Sequence, residues 1–221
     1  VPETDPEVHA VIGASLAEAC RRARITLAGG ETATLPGIVT ELDLSGTALG
    51  WFPAGSAITG ERLAAGDVII GLPSSGVHSN GYTLLRAVVE KSGLGLTDPA
   101  PFDAAHPGRE IEGANESGAT LGEVLLNPTR IYVNPIIDLI DACRDESGPC
   151  ASRDLKAIAH ITGGGLSNLL RLHESLGWHI SDPLPIPPEF TWMAEVGPVE
   201  TLEMHRVFNM GMGMCLAVCS E

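Results

Sequence analysis

Three glycine-rich turns, each directly after a short apolar run, constrain the fold of this chain more than any other feature of its sequence. They are AGGET at 28–32, LPSSGVHSNG at 72–81 and ITGGG at 161–165. Glycine adopts backbone conformations that end a strand abruptly and allow a helix to begin close by. The pattern predicts an α/β protein, with an α+β mixed sheet and flanking helices, whose strand ends carry polar turns.

Hydrophobic periodicity predicts the individual elements. Helical spacing predicts helices at 7–24, at 82–92, at two short stretches of 121–143 broken by Pro128 and Pro135, from 166 onward, and within 186–197. Short apolar runs predict strands at 25–28, 44–52, 67–72, 158–161 and 211–220. Residues 93–120, rich in Gly, Pro, Asp and Ala, are expected to be irregular.

Composition limits both the core and the partners. Aromatic residues make up only 4% of the chain, so we expect a core of Ala, Val, Leu and Ile. The net charge of −15 repels phosphate backbones and argues against nucleic-acid binding. Only two bases, Lys91 and Lys156, are lysines. This scarcity beside abundant Asp and Glu favours adaptation to high salt, the alternative being an ordinary acidic cytosolic protein.

The cysteines and the first residues indicate a cytoplasmic protein. The five cysteines are odd in number and form no Cys-x-x-Cys pair, so we expect free thiols in a reducing compartment. The opening VPETDPEVHA lacks the basic and apolar regions of a signal peptide. No apolar run approaches the roughly 20 residues that span a bilayer, so we expect no membrane partner.

The turn at 72–81 carries side chains suited to an anion. Hydroxyl and amide groups that can donate to phosphate or sugar oxygens occur at Ser74, Ser75, Ser79 and Asn80. Backbone N–H groups around Gly76 can complete a cradle, and a helix that starts at Tyr82 adds its positive end. The turn is neither a Walker A loop nor a serine-hydrolase elbow, because Gly-Lys-Ser/Thr and Gly-x-Ser-x-Gly are both missing.

Three further residues have a functional and a structural interpretation. His78 can donate to phosphate or move a proton near neutral pH; the alternative is an exposed histidine before a helix capped by Ser79 or Asn80. Glu31 is either a Mg²⁺ ligand or contact to a cationic group, or a capping carboxylate. Asn209 either binds a ligand or fixes a turn, and the neighbouring methionines are expected to pack in the core.

Five segments together resemble one family. They are GGETATLPG, GDVIIGLPSSGVHSNGYTLLR, NPTRIYV, AHITGGGLSNLLR and EMHRVFNMGMGM. In this order they resemble aminoimidazole ribonucleotide synthetase, also called phosphoribosylformylglycinamidine cyclo-ligase. The Ser-Ser-Gly-x-His-Ser-Asn-Gly string distinguishes that family from relatives with the same fold. The lysine scarcity and acid excess resemble the version in salt-loving archaea.

The resemblance implies an activity. Family members use ATP and Mg²⁺ to close the ring of formylglycinamidine ribonucleotide, giving aminoimidazole ribonucleotide, ADP and phosphate in purine biosynthesis, and they act as homodimers. Two alternatives stay open: an ATP-dependent enzyme of the same fold, of the thiamine-phosphate kinase or selenophosphate synthetase type, and a ligand-binding fragment without catalysis.

The resemblance also implies roles for individual residues. His78 and Glu31 are implied as catalytic, with Glu31 also the candidate metal ligand. ATP contacts are implied at Gly29, Gly30 and Thr32. Substrate or phosphate contacts are implied at Ser74, Ser75, Gly76, Ser79, Asn80, Gly163, Gly164, Gly165 and Asn209.

The resemblance implies a domain division as well. Residues 1–60 correspond to the end of an N-terminal ATP-binding and dimerisation domain, and residues 61–221 to most of a C-terminal α/β domain. Family members carry roughly one hundred residues ahead of this point, the size of a small domain, including the groups that engage ATP. We therefore expect a fragment truncated at both ends, with ATP turnover by this chain alone in doubt.

The charge excess makes a prediction about salt. If it reflects life in high salt, molar KCl screens the repulsion between the carboxylates and raises the melting temperature. Thermal unfolding followed by circular dichroism, from low salt to molar KCl, measures this. A melting temperature indifferent to salt contradicts the high-salt interpretation.

Overall fold

The computed structural model describes residues 6–35, 37–110, 114, 116 and 118–220. The chain divides into two compact units. The first contains the described residues up to Ala57 together with Val133–Asp138, and the second runs from Ile58 to Tyr132 and from Leu139 onward. The assignment of 1–60 and 61–221 to two named domains stays a prediction.

The first unit contains one long helix, α1, Pro6–Ala23. Glu7 lies in its first turn and Arg21 and Arg22 in its last, an arrangement that complements the helix dipole. The predicted helix at 7–24 is therefore confirmed. The strands predicted at 25–28 and 44–52 are wrong, because these residues pair with no strand in the part of the chain that is described.

The second unit contains a three-stranded sheet of β1, Val68–Pro73, β2, Leu155–His160, and β3, Met212–Val218. Strand β3 lies in the centre and is antiparallel to both neighbours. Three of the predicted strands are thereby confirmed, although β2 begins three residues earlier than the expected 158. Because β1 and β2 run the same way, their ends at Pro73 and His160 both lie beside the start of β3, opposite Met212 and Met214.

The remaining helices are short. They are α2, Tyr82–Ser92; α3, Leu121–Leu125; α4, Val133–Arg144; a 3₁₀ helix, Gly165–Arg171; α5, Pro188–Val196; and α6, Thr201–Val207. The prediction of α2 is confirmed to the residue, whereas α6 has no counterpart in the prediction. Pro135 does not break a helix as expected but lies in the first turn of α4, where an N–H has no intrahelical acceptor.

The main core is richer in large side chains than the composition suggests. Its buried members are Val77, Leu85, Val88, Leu121, Leu125, Phe190, Trp192, Met193, Met204 and Phe208. The expectation of an Ala, Val, Leu and Ile core is therefore wrong for this cluster, because the few aromatic residues concentrate there. Val77 belongs to the turn after β1, so its packing in the core fixes the position of that turn.

The capping box of α3 predicts a stability effect. The Thr120 side chain accepts a hydrogen bond from Glu123 N at 3.2 Å, and Thr120 N donates to the Glu123 carboxylate at 2.7 Å. Thr120→Ala should lower the free energy of unfolding by about 1 kcal/mol, since an orphan N–H loses its partner. Urea unfolding measures the change. Thr83→Ala, at an exposed position inside α2, is the control and should stay within about 0.5 kcal/mol of the parent; equal losses would contradict the capping role.

Candidate functional site

The turn after β1, residues 74–81, is a buried loop, here called the His78 loop. Ser74 and Ser75 are 0% exposed and His78 is 3% exposed, while Ser79 is exposed. The Val77 side chain packs in the main core and anchors the loop there. The alternative of an exposed histidine is therefore wrong.

Hydrogen bonds to distant segments fix the backbone of the His78 loop. Ser74 N donates to Gly211 O at 2.9 Å. The carbonyl oxygen of Ser75 accepts from Asn127 Nδ2 at 2.5 Å and from Arg109 at 3.2 Å. These three hydrogen-bond partners come from different parts of the chain, so the loop conformation depends on the folded state of the whole unit.

Asn209 contacts the same loop. Its Nδ2 donates to Gly76 O at 2.8 Å, and its Oδ1 accepts from Gly211 N at 2.9 Å. Asn209 is 3% exposed. Both polar atoms of the Asn209 side chain form hydrogen bonds to the backbone, which supports the alternative that Asn209 fixes a turn. Contact with a ligand stays a prediction.

The three serine hydroxyls of the loop differ in their partners. Ser75 Oγ donates to Pro128 O at 2.6 Å, and Ser79 Oγ lies 3.2 Å from the hydroxyl of Thr129. Ser74 Oγ is buried without a hydrogen-bond partner among the described residues. Because an unpaired buried hydroxyl is costly, Ser74 is the serine that gains most from a ligand oxygen.

His78 is held in one neutral form. Its Nε2 accepts a hydrogen bond from Ser75 N at 3.1 Å, so the ring proton resides on Nδ1. Nδ1 is buried, and no described residue accepts from it. Burial, followed by the nearby His160 and Arg130, lowers the pKa of His78 to about 4. The imidazole is therefore uncharged near pH 7.

Two aromatic rings lie beside His78. The ring centroid of His78 lies 6.3 Å from that of Tyr132 and 6.4 Å from that of His160, and the last two lie 5.7 Å apart. The Tyr132 hydroxyl donates to Pro73 O at 2.8 Å. A Cβ at Gly213 would overlap Tyr132 and lie 3.0 Å from the His78 ring, so the cluster needs glycine on β3.

Two members of this cluster were not predicted from the sequence. His160 lies at the exposed end of β2, and burial lowers its pKa; burial raises the pKa of Tyr132 to about 12. Both residues stand in segments that carry the family resemblance, AHITGGG and NPTRIYV. A titratable side chain at the end of a strand is the signal that would have found His160, whereas Tyr132 directly precedes α4 and carries no such signal.

The glycine turn after β2 lies against the His78 loop. Asn80 Oδ1 lies 3.2 Å from the position that a Cβ of Gly163 would take. Asn168 Nδ2 donates to Gly163 O at 3.3 Å and to Gly165 O at 2.6 Å. A side chain at Gly165 would overlap the carbonyl oxygens of His205 and Phe208. Two of the predicted phosphate-binding turns are therefore neighbours.

Helix α2 starts without a side-chain cap. Its N-cap is Gly81, with φ 76°, and no side chain in the described part of the chain caps its first N–H groups. The alternative of Ser79 or Asn80 as the cap is therefore wrong. The uncapped end of an 11-residue helix presents free N–H groups beside Asn80, which suits an anion.

The residues predicted to bind ATP lie in the first unit. Gly29, Gly30, Glu31 and Thr32 are exposed and belong to no helix or strand. Within the described residues, no group of three or more His, Cys, Asp or Glu side chains is arranged to hold a metal ion. The metal role of Glu31 stays a prediction.

The second unit contains a cavity of about 680 Å³. It is lined by the start of β1 and by residues 175–182, including Trp178. None of the predicted site residues lines it. Across the described helices, none combines the length and the apolar character that a membrane span requires.

The fold and this loop agree with a known family. Residues 64–221 match the family described as AIR synthase related protein, C-terminal domain. The chain therefore belongs to this family, and the predicted α/β class is confirmed.

Curated relatives give a more particular match. Proteins named phosphoribosylformylglycinamidine cyclo-ligase from Methanosarcina acetivorans and Methanosarcina mazei are each 42% identical to this chain, over 207 and 205 residues. The alignments cover 94% and 93% of the chain but 55% and 54% of the relatives. A protein of the same name from Methanothermobacter thermautotrophicus is 42% identical over 100% of this chain and 59% of its own length. The chain thus spans little more than half the length of these relatives.

The lowered pKa of His78 predicts a pH-dependent stability. The unfolded chain binds a proton at an ordinary histidine pKa of 6.5, whereas the folded chain resists protonation until about 4. Stability should therefore fall as pH falls through this window. Between about pH 7.5 and about pH 5, His78 should contribute a loss of about 2 kcal/mol.

Urea unfolding at these two pH values measures that loss. His78→Gln should remove this part of the slope, while the contributions of other histidines cancel in the comparison. His179→Gln, at an exposed histidine, is the control and should keep the parental slope. Equal slopes for the parent and His78→Gln would contradict a buried neutral imidazole.

Proposed function

We propose that this chain supplies the C-terminal domain of a phosphoribosylformylglycinamidine cyclo-ligase. The enzyme would close formylglycinamidine ribonucleotide to aminoimidazole ribonucleotide with ATP as second substrate, releasing ADP and phosphate in purine biosynthesis. The observation that supports the proposal is the 42% sequence identity to proteins of that name. Two of these alignments cover 94% and 100% of the chain. We further propose a cytoplasmic homodimer, as the family resemblance implies.

The proposed site for the substrate phosphate combines neutral donors. The free N–H groups at the start of α2, the Asn80 side chain and the turn at Gly163 lie together. Helix N-termini and glycine turns bind phosphate through backbone amides, without lysine. This arrangement suits a chain with 28 acidic and 13 basic residues.

The proposed role of His78 follows from its tautomer. With Nε2 bonded to Ser75, the Nδ1–H is a fixed, buried donor in the same loop as the unpartnered Ser74 hydroxyl. A preorganised donor of this kind stabilises charge that develops on a reacting oxygen. A neutral ring with a pKa of about 4 is a weak base, but the negative charge of a bound substrate would raise that pKa and allow proton transfer.

Mg²⁺ enters the proposal only as an implied cofactor. The described residues form no cluster of ligands for it. We therefore assign no step to a metal held by this chain, and Glu31, with the ATP contacts at Gly29, Gly30 and Thr32, stays a proposed contributor from the first unit.

The role of His78 is tested in the full-length enzyme. His78→Ala should lower kcat by roughly a hundredfold or more, because the reacting oxygen loses its donor. Aminoimidazole ribonucleotide formation measures the rate. His179→Ala is the matched control and should turn over at the parental rate. Parental rates for His78→Ala would exclude this role.

Substrate binding by the chain itself is a separate test of the site. Isothermal titration with formylglycinamidine ribonucleotide, with and without ATP, should give binding that Asn80→Ala weakens about tenfold, since one phosphate donor is removed. Arg86→Ala, at an exposed position on α2, is the control. Equal affinities of the parent and Asn80→Ala would place the phosphate elsewhere.

A further inference from the structure

A buried ion pair lies against the His78 loop. Arg109 and Glu189 have side chains that are 1% and 0% exposed. They meet in a bidentate contact, with both nitrogen-to-oxygen distances 2.6 Å. Glu189 lies in the first turn of α5, where the positive end of the helix favours a carboxylate.

Stability alone is a poor reason for this pair. Removing two charges from water costs about as much as their attraction returns, and apolar replacements of similar volume are often neutral or stabilising. Such pairs are best attested where they impose one arrangement on their surroundings. The contacts of Arg109 show which arrangement is imposed here.

Arg109 reaches the loop at Ser75 and Gly76. Its guanidinium donates to Ser75 O at 3.2 Å. A Cβ at Gly76 would lie 2.8 Å from Arg109 and 2.9 Å from Glu189, so the pair packs directly on the loop backbone. The N–H of the same Ser75 donates to His78 Nε2 at 3.1 Å. The pair therefore holds the residue that sets the His78 tautomer.

We propose that the buried Arg109–Glu189 pair is a positioning device for His78, which keeps the ring proton on Nδ1 by fixing Ser75. In this proposal, Arg109 and Glu189 act on His78 only through the backbone of the loop. The catalytic consequence rests on the proposed function, whereas the tautomer itself does not depend on it.

The test uses nitrogen NMR of chain labelled with ¹⁵N-histidine. In the parent, His78, assigned by its loss in His78→Gln, should show a protonated Nδ1 and an unprotonated Nε2. Glu189→Gln frees the guanidinium to reorient, and the two nitrogens should shift toward a mixture of tautomers. Asp67→Asn is the matched control, because it changes a carboxylate to an amide in the ion pair with Lys156, whose Nζ–Oδ1 distance is 2.6 Å. It should leave His78 unchanged.

Two results would overturn the proposal. One is a parent whose His78 carries its proton on Nε2, which needs no variant at all. The other is a parental His78 spectrum in Glu189→Gln. If Glu189→Gln does not fold, Arg109→Met/Glu189→Leu replaces both charges by apolar side chains and is read in the same way.

Kinetics of the full-length enzyme separate this proposal from the proposed function. Glu189→Gln should lower kcat on the order of tenfold with KM little changed, because a displaced donor acts mainly on the transition state. A shifted tautomer with parental kcat would retain the positioning role and exclude the catalytic role of His78. A slow His78→Ala enzyme with an unshifted tautomer in Glu189→Gln would exclude the positioning role and retain the function.

Discussion

The antiparallel placement of β3 between β1 and β2 is the constraint on which the candidate site depends. It makes β1 and β2 run in the same direction, so the turns that follow Pro73 and His160 leave the sheet at the same end of the strands. The start of β3 lies between them and contributes Gly213, whose missing side chain leaves room for Tyr132 and His78. Segments more than 80 residues apart in the sequence meet there because two ladders of backbone hydrogen bonds align them.

Burial then determines the chemistry of the His78 loop, which follows β1. Buried polar groups need partners, and the His78 loop obtains them from Asn127, Arg109, Asn209 and the carbonyl of Pro128. Four buried side-chain groups lack hydrogen-bond partners among the described residues, and two of them, Ser74 Oγ and His78 Nδ1, belong to this loop. A loop whose backbone is held by hydrogen bonds while two of its side-chain donors stay unpaired is preorganised for an oxygen-rich ligand.

Local elements could be predicted from the sequence, and long-range pairings could not. Helix α2 has apolar residues at helical spacing between two glycines, so its bounds follow from Gly81 and Gly93. The runs at 25–28 and 44–52 have strand-like composition, but a strand exists only with a partner, which composition does not reveal. The position of His78 in a motif led to the hypothesis of a functional role, but its tautomer and low pKa depend on tertiary burial.

The Arg109–Glu189 pair shows the same limit more sharply. Arg109 lies in the stretch 93–120 that looked irregular, and Glu189 lies in a proline-rich helix start. Neither position is marked by hydrophobic periodicity, and 80 residues separate them. The strand order and the core cluster containing Phe190 bring them together. Only a three-dimensional arrangement could have shown that they contact the loop after β1.

The bare start of α2 has a consequence for mutagenesis. An alanine substitution leaves the backbone N–H in place, so an alanine scan of residues 74–83 would leave the N-terminal N–H groups of α2 intact and understate their contribution; only proline removes an N–H by a codon change. Replacing a single amide with an ester by chemical ligation would reach it. Where an acidic chain binds an anion through backbone N–H groups, tolerance of side-chain substitution is a poor guide to which groups bind the anion.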